Sequence, residues 1–396
     1  MPIKNPTSAS LESRRAFLKG TADKLAAALL AAEGARAATA FAAPASLERR
    51  EVRSDSPKLK IGVFDTAFGD LSLDQLIELI KEYGIEAVEI GSGNDPGNAH
   101  CDLDGLLADE SKRRTYMQQF EKNNIMVSAF SCHGNPVHPD TAKAKREDAV
   151  YRKTIDLAAK TGVNHMVCFS GCPGDGTGKH PNWVTTLETD EFVDILKWQW
   201  NSVLIPYWKD LNEYARQRNV KVGIEMDGGV SVFNVATLVK LRHAAGENIG
   251  ANLDLSGVFQ LGVDPVAVIK KLGQEGCLYH MHGKDILLDA QNVAVNGLVD
   301  LTPYEDVPQR SWSYGDIGYG HDLGVWKAIV EELKAVGYDH VISIEHESVY
   351  HGPGGRGQEC GGARGDSARS RAPLKAPSMH PRRGPSAGPA LRDRLR

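Results

Sequence analysis

The sequence predicts an α/β chain folded as a (βα)8 barrel whose last helix is missing. Three observations carry this expectation. Between Lys58 and Glu347, eight short runs rich in β-branched residues alternate with amphipathic segments. Seven of the eight are followed by a helical segment, the order of a closed parallel barrel. The first strand–helix turn, Asp65-Thr66-Ala67-Phe68-Gly69, lacks the G-x-G-x-x-G pattern that would point to an open doubly wound sheet.

Each element has its own signals. Lys60–Asp65 (KIGVFD) is the first strand, and Ser72–Tyr83 is its helix, with Ser72 as N-cap and Gly84 at the end. Ala87–Gly91 (AVEIG) is the second strand, followed by the charged helix Glu110–Asn124. Met126–Cys132 is the third, with helix Asp140–Lys160. His165–Gly171 is the fourth, and the long helical region Asp190–Arg218 after it is interrupted near Pro206, which cannot donate a backbone hydrogen bond. Lys221–Met226 and helix Asn234–Ala245 form the fifth unit, Ile249–Asp254 and Asp264–Leu272 the sixth. Leu278–Gly283 is the seventh strand, and a long insertion, Lys284 to Gly320, precedes its helix Gly324–Val336. His340–Glu347 is the eighth strand. Its helix is absent, so the barrel is expected to expose apolar surface beside that strand, at a cost in stability.

Composition is that of a globular protein: 396 residues, 41% hydrophobic and 24% charged. The net charge of −5 hides an asymmetry, because ten basic residues face three acidic ones from His351 to Arg396, leaving 36 basic and 48 acidic in the first 350. An acidic body offers no cationic surface for nucleic acid. No apolar run approaches the roughly 18 residues of a membrane span, so stable membrane insertion is not expected. Six cysteines, none in a C-x-x-C pair, make neither a disulfide scaffold nor a cysteine zinc site.

Both ends read as separate from the fold. Ser13-Arg14-Arg15-Ala16-Phe17-Leu18-Lys19 is the twin-arginine export pattern, followed by the Ala/Leu-rich stretch Leu25 to Ala32 and small-residue sites such as Ala35-Arg36-Ala37. Residues 1–43 are therefore expected to be a leader read by the twin-arginine export machinery, 44–57 a linker and 58–348 a catalytic barrel that works in the periplasm or another extracytoplasmic space. The alternative is a basic helical extension, which Asp23, Lys24 and Glu33 favour by interrupting the apolar region. Residues 349–396 form a basic Gly/Pro/Arg-rich tail that cannot bury enough surface to offset its ordering entropy. Its abrupt change of character resembles out-of-frame translation of a GC-rich gene, which resequencing the codons for 345–355 would test.

In a (βα)8 barrel, chemistry collects at the C-terminal ends of the strands. Strand five ends in Glu225, strand six in Asp254, strand seven carries His280 and His282, and strand eight carries Glu345. Buried carboxylates this close repel and take up protons unless a cation neutralises them. Three oxygens and one nitrogen suit Mn²⁺ or Mg²⁺, with Co²⁺ or Zn²⁺ as alternatives. His280 and His282 share one face of their strand, so either can be the ligand with the other supporting it or simply packing. At the same rim, His133 can hydrogen-bond a substrate hydroxyl, Trp183 can stack on a sugar's apolar face, and Lys284, followed by Asp285, can hold a substrate oxygen. Glu347 shares the face of Glu345.

These residues lie in motifs that carry a family resemblance: GIEAVEIG (Gly84–Gly91), SCHGNPVHPD (Ser131–Asp140), KHPNWV (Lys179–Val184), VGIEMDGG (Val222–Gly229), NLDLSG (Asn252–Gly257), YHMHGKD (Tyr279–Asp285), GYGHD (Gly318–Asp322) and SIEHE (Ser343–Glu347). Over residues 58 to 347 the chain resembles the sugar phosphate isomerase/epimerase superfamily, the xylose isomerase-like TIM barrels. The resemblance implies one divalent metal held by Glu225, Asp254, His282 and Glu345, with His282 preferred because the second histidine of the H-x-H pair matches the ligand. Many relatives carry a histidine three residues after the strand-six aspartate. Here that position is Gly257, which removes a substrate contact or proton-handling group.

A divalent ion chelating the carbonyl and hydroxyl oxygens of a ketose or keto-cyclitol acidifies the adjacent C–H and stabilises an enediolate. Glu225 and Glu345, from opposite sides of the metal arc, can then remove and return the proton. This predicts an exported, metal-dependent sugar isomerase or epimerase acting on a small sugar or cyclitol. Loss of a β-hydroxyl from the same intermediate would make it a dehydratase, and polarisation of a keto-glycoside a hydrolase. A catalytically silent periplasmic sugar-binding barrel is the reading from another class.

Overall fold

The computed structural model describes residues 11–39 and 58–348, all within one compact unit, Met1–Arg356. The end of the expected leader, the linker and the basic tail lie outside the described residues. Among the described residues there are ten strands: β1 (Lys60–Phe64), β2 (Ala87–Gly91), β3 (Met126–Ser131), β4 (His165–Phe169), β5 (Lys221–Glu225), β6 (Ile249–Asp254), β7 (Leu278–Gly283), β8 (Asp285–Leu288), β9 (Trp312–Gly315) and β10 (Val341–Ile344). Eight of them close into a parallel barrel in the order β1-β10-β7-β6-β5-β4-β3-β2, and β8 and β9 form an antiparallel hairpin inside the long insertion. The predicted barrel is therefore the observed one. Its strands are buried nearly throughout, as parallel strands covered on the outside by helices must be. The inside is unusual in being polar: Glu89, Ser128, Ser131, Asn252, His280 and His282 are all buried there.

The helices are α1 (Leu11–Thr39), α2 (Leu73–Glu82), α3 (Leu103–Ala108), α4 (Glu110–Glu121), α5 (Thr141–Thr161), α6 (Asp190–Trp198), α7 (Ile205–Arg216), α8 (Val235–Ala245), α9 (Leu255–Gln260), α10 (Pro265–Gln274), α11 (Ala290–Asn296) and α12 (Leu323–Ala335). Ser72 caps α2 in a reciprocal capping box with Gln75. The interruption expected near Pro206 is a π-helical turn, Gln199–Leu204, where the missing proline N–H breaks the α-helical ladder. The fourth and eighth strands stop short of their expected ends: Ser170, Glu345 and the residues after each leave the ladder to line the C-terminal mouth.

Where the sequence places both ends outside the fold, residues 11–39 form α1 and pack on the barrel. The buried positions Phe17, Leu18, Ala22, Leu25, Ala28 and Ala32 recur at helical spacing and join the same apolar core as the barrel helices. α1 lies along α12 and touches β1, and Arg15 pairs with Glu82 of α2 at 3.3 Å. This is the place between the seventh and first helices of the ring where an eighth helix would pack. The apolar surface expected to be exposed beside the last strand is thus covered by the N-terminal helix. No described helix is long and apolar enough to cross a membrane.

Candidate metal centre

Parallel register brings the four predicted ligands to one level. Glu225 pairs with Asn252, Asp254 with His282, and His282 with Ser343, two residues before Glu345. One ligand atom each from Glu225, Asp254, His282 and Glu345 lies within 4.8 Å of all the others. His282 Nδ1 is 3.1 Å from Glu345 Oε2 and 3.3 Å from Glu225 Oε2. Lys284 Nζ enters from the side, 2.6 Å from Glu345 Oε2, 2.8 Å from Glu347 Oε2 and 3.1 Å from Asp254 Oδ2.

The electrostatics of this cluster call for a cation. Burial pushes the Asp254 carboxyl up, and Glu225 and Glu345 add to the push against Lys284. Burial likewise raises the Glu347 carboxyl, with Glu345 adding to it and Lys284 opposing. Burial opposes a charge on His282, yet Glu89, Glu345 and Glu225 around it outweigh that and drive the imidazole well above its ordinary range. Three carboxylate donors and one imidazole, buried together and drawing positive charge onto His282, His133 and Lys284, are the donor set a hard or borderline divalent ion takes. Glu225, Asp254, His282 and Glu345 fit such an ion.

The support beneath the cluster comes from residues the sequence reading did not assign. Glu89 on β2 lies across the barrel from β7 and accepts from His282 Nε2 at 3.0 Å, and from the hydroxyls of Ser343 (2.7 Å) and Ser131. Burial alone would raise Glu89, but His282 and His280 and the hydrogen bonds from His282 and Ser131 hold it at about 2. Asn252 donates to Glu225 Oε2 at 2.8 Å. The signal for Glu89 was available: a carboxylate in the middle of a strand with no polar neighbour needs a buried partner.

The substrate-contact candidates divide. His133 is in the cluster, its Nε2 3.0 Å from Glu225 Oε2, and Lys284 is in it as described. Trp183 stands further out, edge-on to Phe233 at 5.7 Å, its indole N–H buried without a hydrogen-bond partner among the described residues. The structure gives the other two different work. His280 lies one layer deeper than His282, fully buried, with Nδ1 on Asn252 Oδ1 (3.0 Å) and Nε2 against Ser128 Oγ (3.2 Å), so it orients Asn252 rather than facing the mouth. Asp285 is also fully buried and accepts from the backbone of Gly318 and His321, from His321 Nδ1 and from Trp326 Nε1, which anchors the insertion.

Two further features shape the mouth. Asp227, two residues beyond Glu225, is pushed up to about 7 by burial and by the Glu225 charge. At Gly257 a Cβ would come within 2.7 Å of the Met226 carbonyl oxygen, so no larger side chain can be placed there without moving the chain after β5.

The comparisons agree with this architecture. The sequence pattern of the xylose isomerase-like TIM barrel family matches residues 77–364. The uncharacterized protein YfiH of Bacillus subtilis (strain 168) is 34% identical over 299 residues, covering 74% of this chain and 95% of YfiH. Among solved structures, a D-tagatose 3-epimerase-like protein has a TM-score of 0.50 at 20% identity, covering 74% of this chain and 92% of that one. The IOLI protein with a bound zinc atom also has a TM-score of 0.50, at 16% identity, covering 74% and 91%. These two likenesses speak to the fold alone. The closed eight-stranded barrel, the acidic cluster at its C-terminal mouth and the match over most of its length place the chain in the xylose isomerase-like TIM barrel family.

Proposed function

We propose that the protein is a divalent-metal-dependent sugar isomerase or epimerase, exported by the twin-arginine route and acting in an extracytoplasmic space. The observation that carries the reading is the convergence of Glu225, Asp254, His282 and Glu345 at one buried point. An ion held there would polarise a carbonyl oxygen and acidify the neighbouring C–H. The names of the fold relatives point the same way, since one is described as D-tagatose 3-epimerase-like and another was crystallised with zinc.

The protein's own groups then do the proton transfer. Glu225 and Glu345 reach the cluster from β5 and from the end of β10, strands on its two sides, so one carboxylate can take the proton and the other return it. His133 holds Glu225 Oε2 in place. Lys284 divides its ammonium among Asp254, Glu345 and Glu347, leaving a site in which carboxylates outnumber cations. That balance favours an uncharged polyhydroxy ketone or cyclitol over a sugar phosphate.

The test is proton exchange with solvent. In deuterated water with Mn²⁺ and a panel of ketoses, the wild-type protein is expected to label its substrate, and Glu225→Gln and Glu345→Gln are each expected to lower the rate by about 100-fold or more. Retained exchange in both variants would overturn the assigned roles. A second reading, dehydration, is favoured by Asp227: a carboxyl raised to about 7 can protonate a departing hydroxyl near neutral pH. Product mass separates the two, because isomers weigh the same and dehydration removes one water.

A further inference from the structure

We propose that α1 is a detachable eighth helix that clamps the metal-ligand end of β10, so that its attachment and ion binding are linked. The inference rests on the metal reading above but concerns a different part of the molecule. The Phe17 ring of α1 packs on the His346 ring with centroids 3.8 Å apart, and both residues are 3% exposed. His346 lies between Glu345, a proposed ligand, and Glu347, which holds Lys284. Two turns further along α1, Lys24 sits over the Tyr319 ring at 3.1 Å and reaches the Gly318 carbonyl at 3.5 Å. The Gly318 N–H in turn donates to Asp285 Oδ2 at 3.0 Å, next to Lys284. The helix thus bears on both segments whose side chains close the cluster from one side.

The attachment is specific as well as apolar. Arg14 is 3% exposed, forms a two-pronged ion pair with Asp70 and donates to the Ala67 carbonyl at 3.0 Å. Residues Glu345 to Ser348 follow the end of β10; Glu345 keeps one long backbone hydrogen bond to Gly283 of β7 at 3.4 Å, and the contact of His346 with Phe17 adds a restraint just beyond it. By linkage, if α1 steadies Glu345 for the ion, the ion must steady α1 to the same degree. Arg14 and Arg15 also form the twin-arginine pair. With Arg14 buried, an export receptor can read that pair only when α1 is off the barrel, so ion loading and presentation of the leader become opposed states of one helix.

The experiment uses the full chain. Hydrogen exchange read by mass spectrometry, with and without Mn²⁺, is expected to show α1 amides slowed by about fivefold or more, the low end of ordinary coupling, while α7, which follows β4 across the barrel from β10, is unchanged. Calorimetry is expected to show Mn²⁺ binding weakened by a similar factor in Phe17→Ala and, should that variant fold poorly, in Lys24→Ala. Wild-type binding of Mn²⁺ with no change in α1 exchange, or wild-type affinity in both variants, would overturn the clamp and leave the metal reading standing. No uptake of Mn²⁺ by the wild-type protein would overturn both.

Discussion

Glu89 sits at the centre of a strand with no exposed residue, and its charge is tolerable there because His282, Ser131 and Ser343 all donate to it. Its acceptance of the Nε2 proton leaves Nδ1 of His282 as the nitrogen facing Glu225 and Glu345, which is the nitrogen an ion would use. Glu89→Gln keeps the shape and removes the charge. It is expected to weaken Mn²⁺ binding by roughly 10- to 100-fold in a calorimetric titration, as loss of a ligand's hydrogen-bond partner ordinarily does. An unchanged affinity would mean that His282 is oriented by other contacts. The four candidate ligands were legible in the sequence because their types end four successive strands of the barrel. For Glu89 the need of a buried partner was legible but the partner was not, because His282 lies 193 residues away and is reached across the barrel rather than along it. His280 and His282 were indistinguishable by alternation, since both point inward. What separates them is depth in the barrel, which depends on register with β6.

At the scale of the element, α1 is where sequence and structure part. Its apolar stripe at helical spacing reads equally well as the hydrophobic region of a leader and as a packing face, and the position it packs into, beside β1 and α12, is not visible in the stripe itself. A stripe made largely of alanine and leucine suits close approach to α12. Leu25 is 0% exposed and belongs to the common core, whereas Leu30 on the opposite face is 68% exposed. Leu25→Ala is therefore expected to lower the stability of the full chain by about 2–5 kcal/mol, the usual cost of truncating a buried leucine, read as a lower urea midpoint. Leu30→Ala is expected to leave the midpoint within about 0.5 kcal/mol of wild type. Equal, small effects at both positions would mean that α1 contributes nothing to the folded barrel in solution. The barrel strands and their helices were legible because each obeys a short-range period; the partner of α1 is set by ring closure, which no local window contains.

The two ends of the barrel differ in charge: carboxylates gather at its C-terminal mouth, whereas the imidazoles of His165 and His340 meet at its N-terminal mouth. There the His165 and His340 rings stack with centroids 4.5 Å apart and 24° between planes, and Lys221 and Lys60 lie nearby. Burial, with the His340 charge adding to it, pushes His165 down to about 3. In the unfolded chain the same imidazole takes a proton near 6.5. Above that pH both states are neutral and the group has no effect. As the pH falls from 6.5 toward 3, the unfolded chain binds a proton that the folded one refuses, and stability drains by at most about 1.4 kcal/mol per pH unit. Other groups move in the same experiment, Glu89 in the lower window between its ordinary value and about 2, and His282 in the opposite sense, so the wild-type curve alone is not diagnostic. The difference between wild type and His165→Asn is. Urea midpoints at pH 7, 6 and 5 are expected to converge or cross in favour of the variant as the pH falls, because asparagine carries no proton to exclude. Curves that stay parallel from pH 7 to 5 would show that His165 titrates alike in both states and that the N-terminal mouth is open to protons.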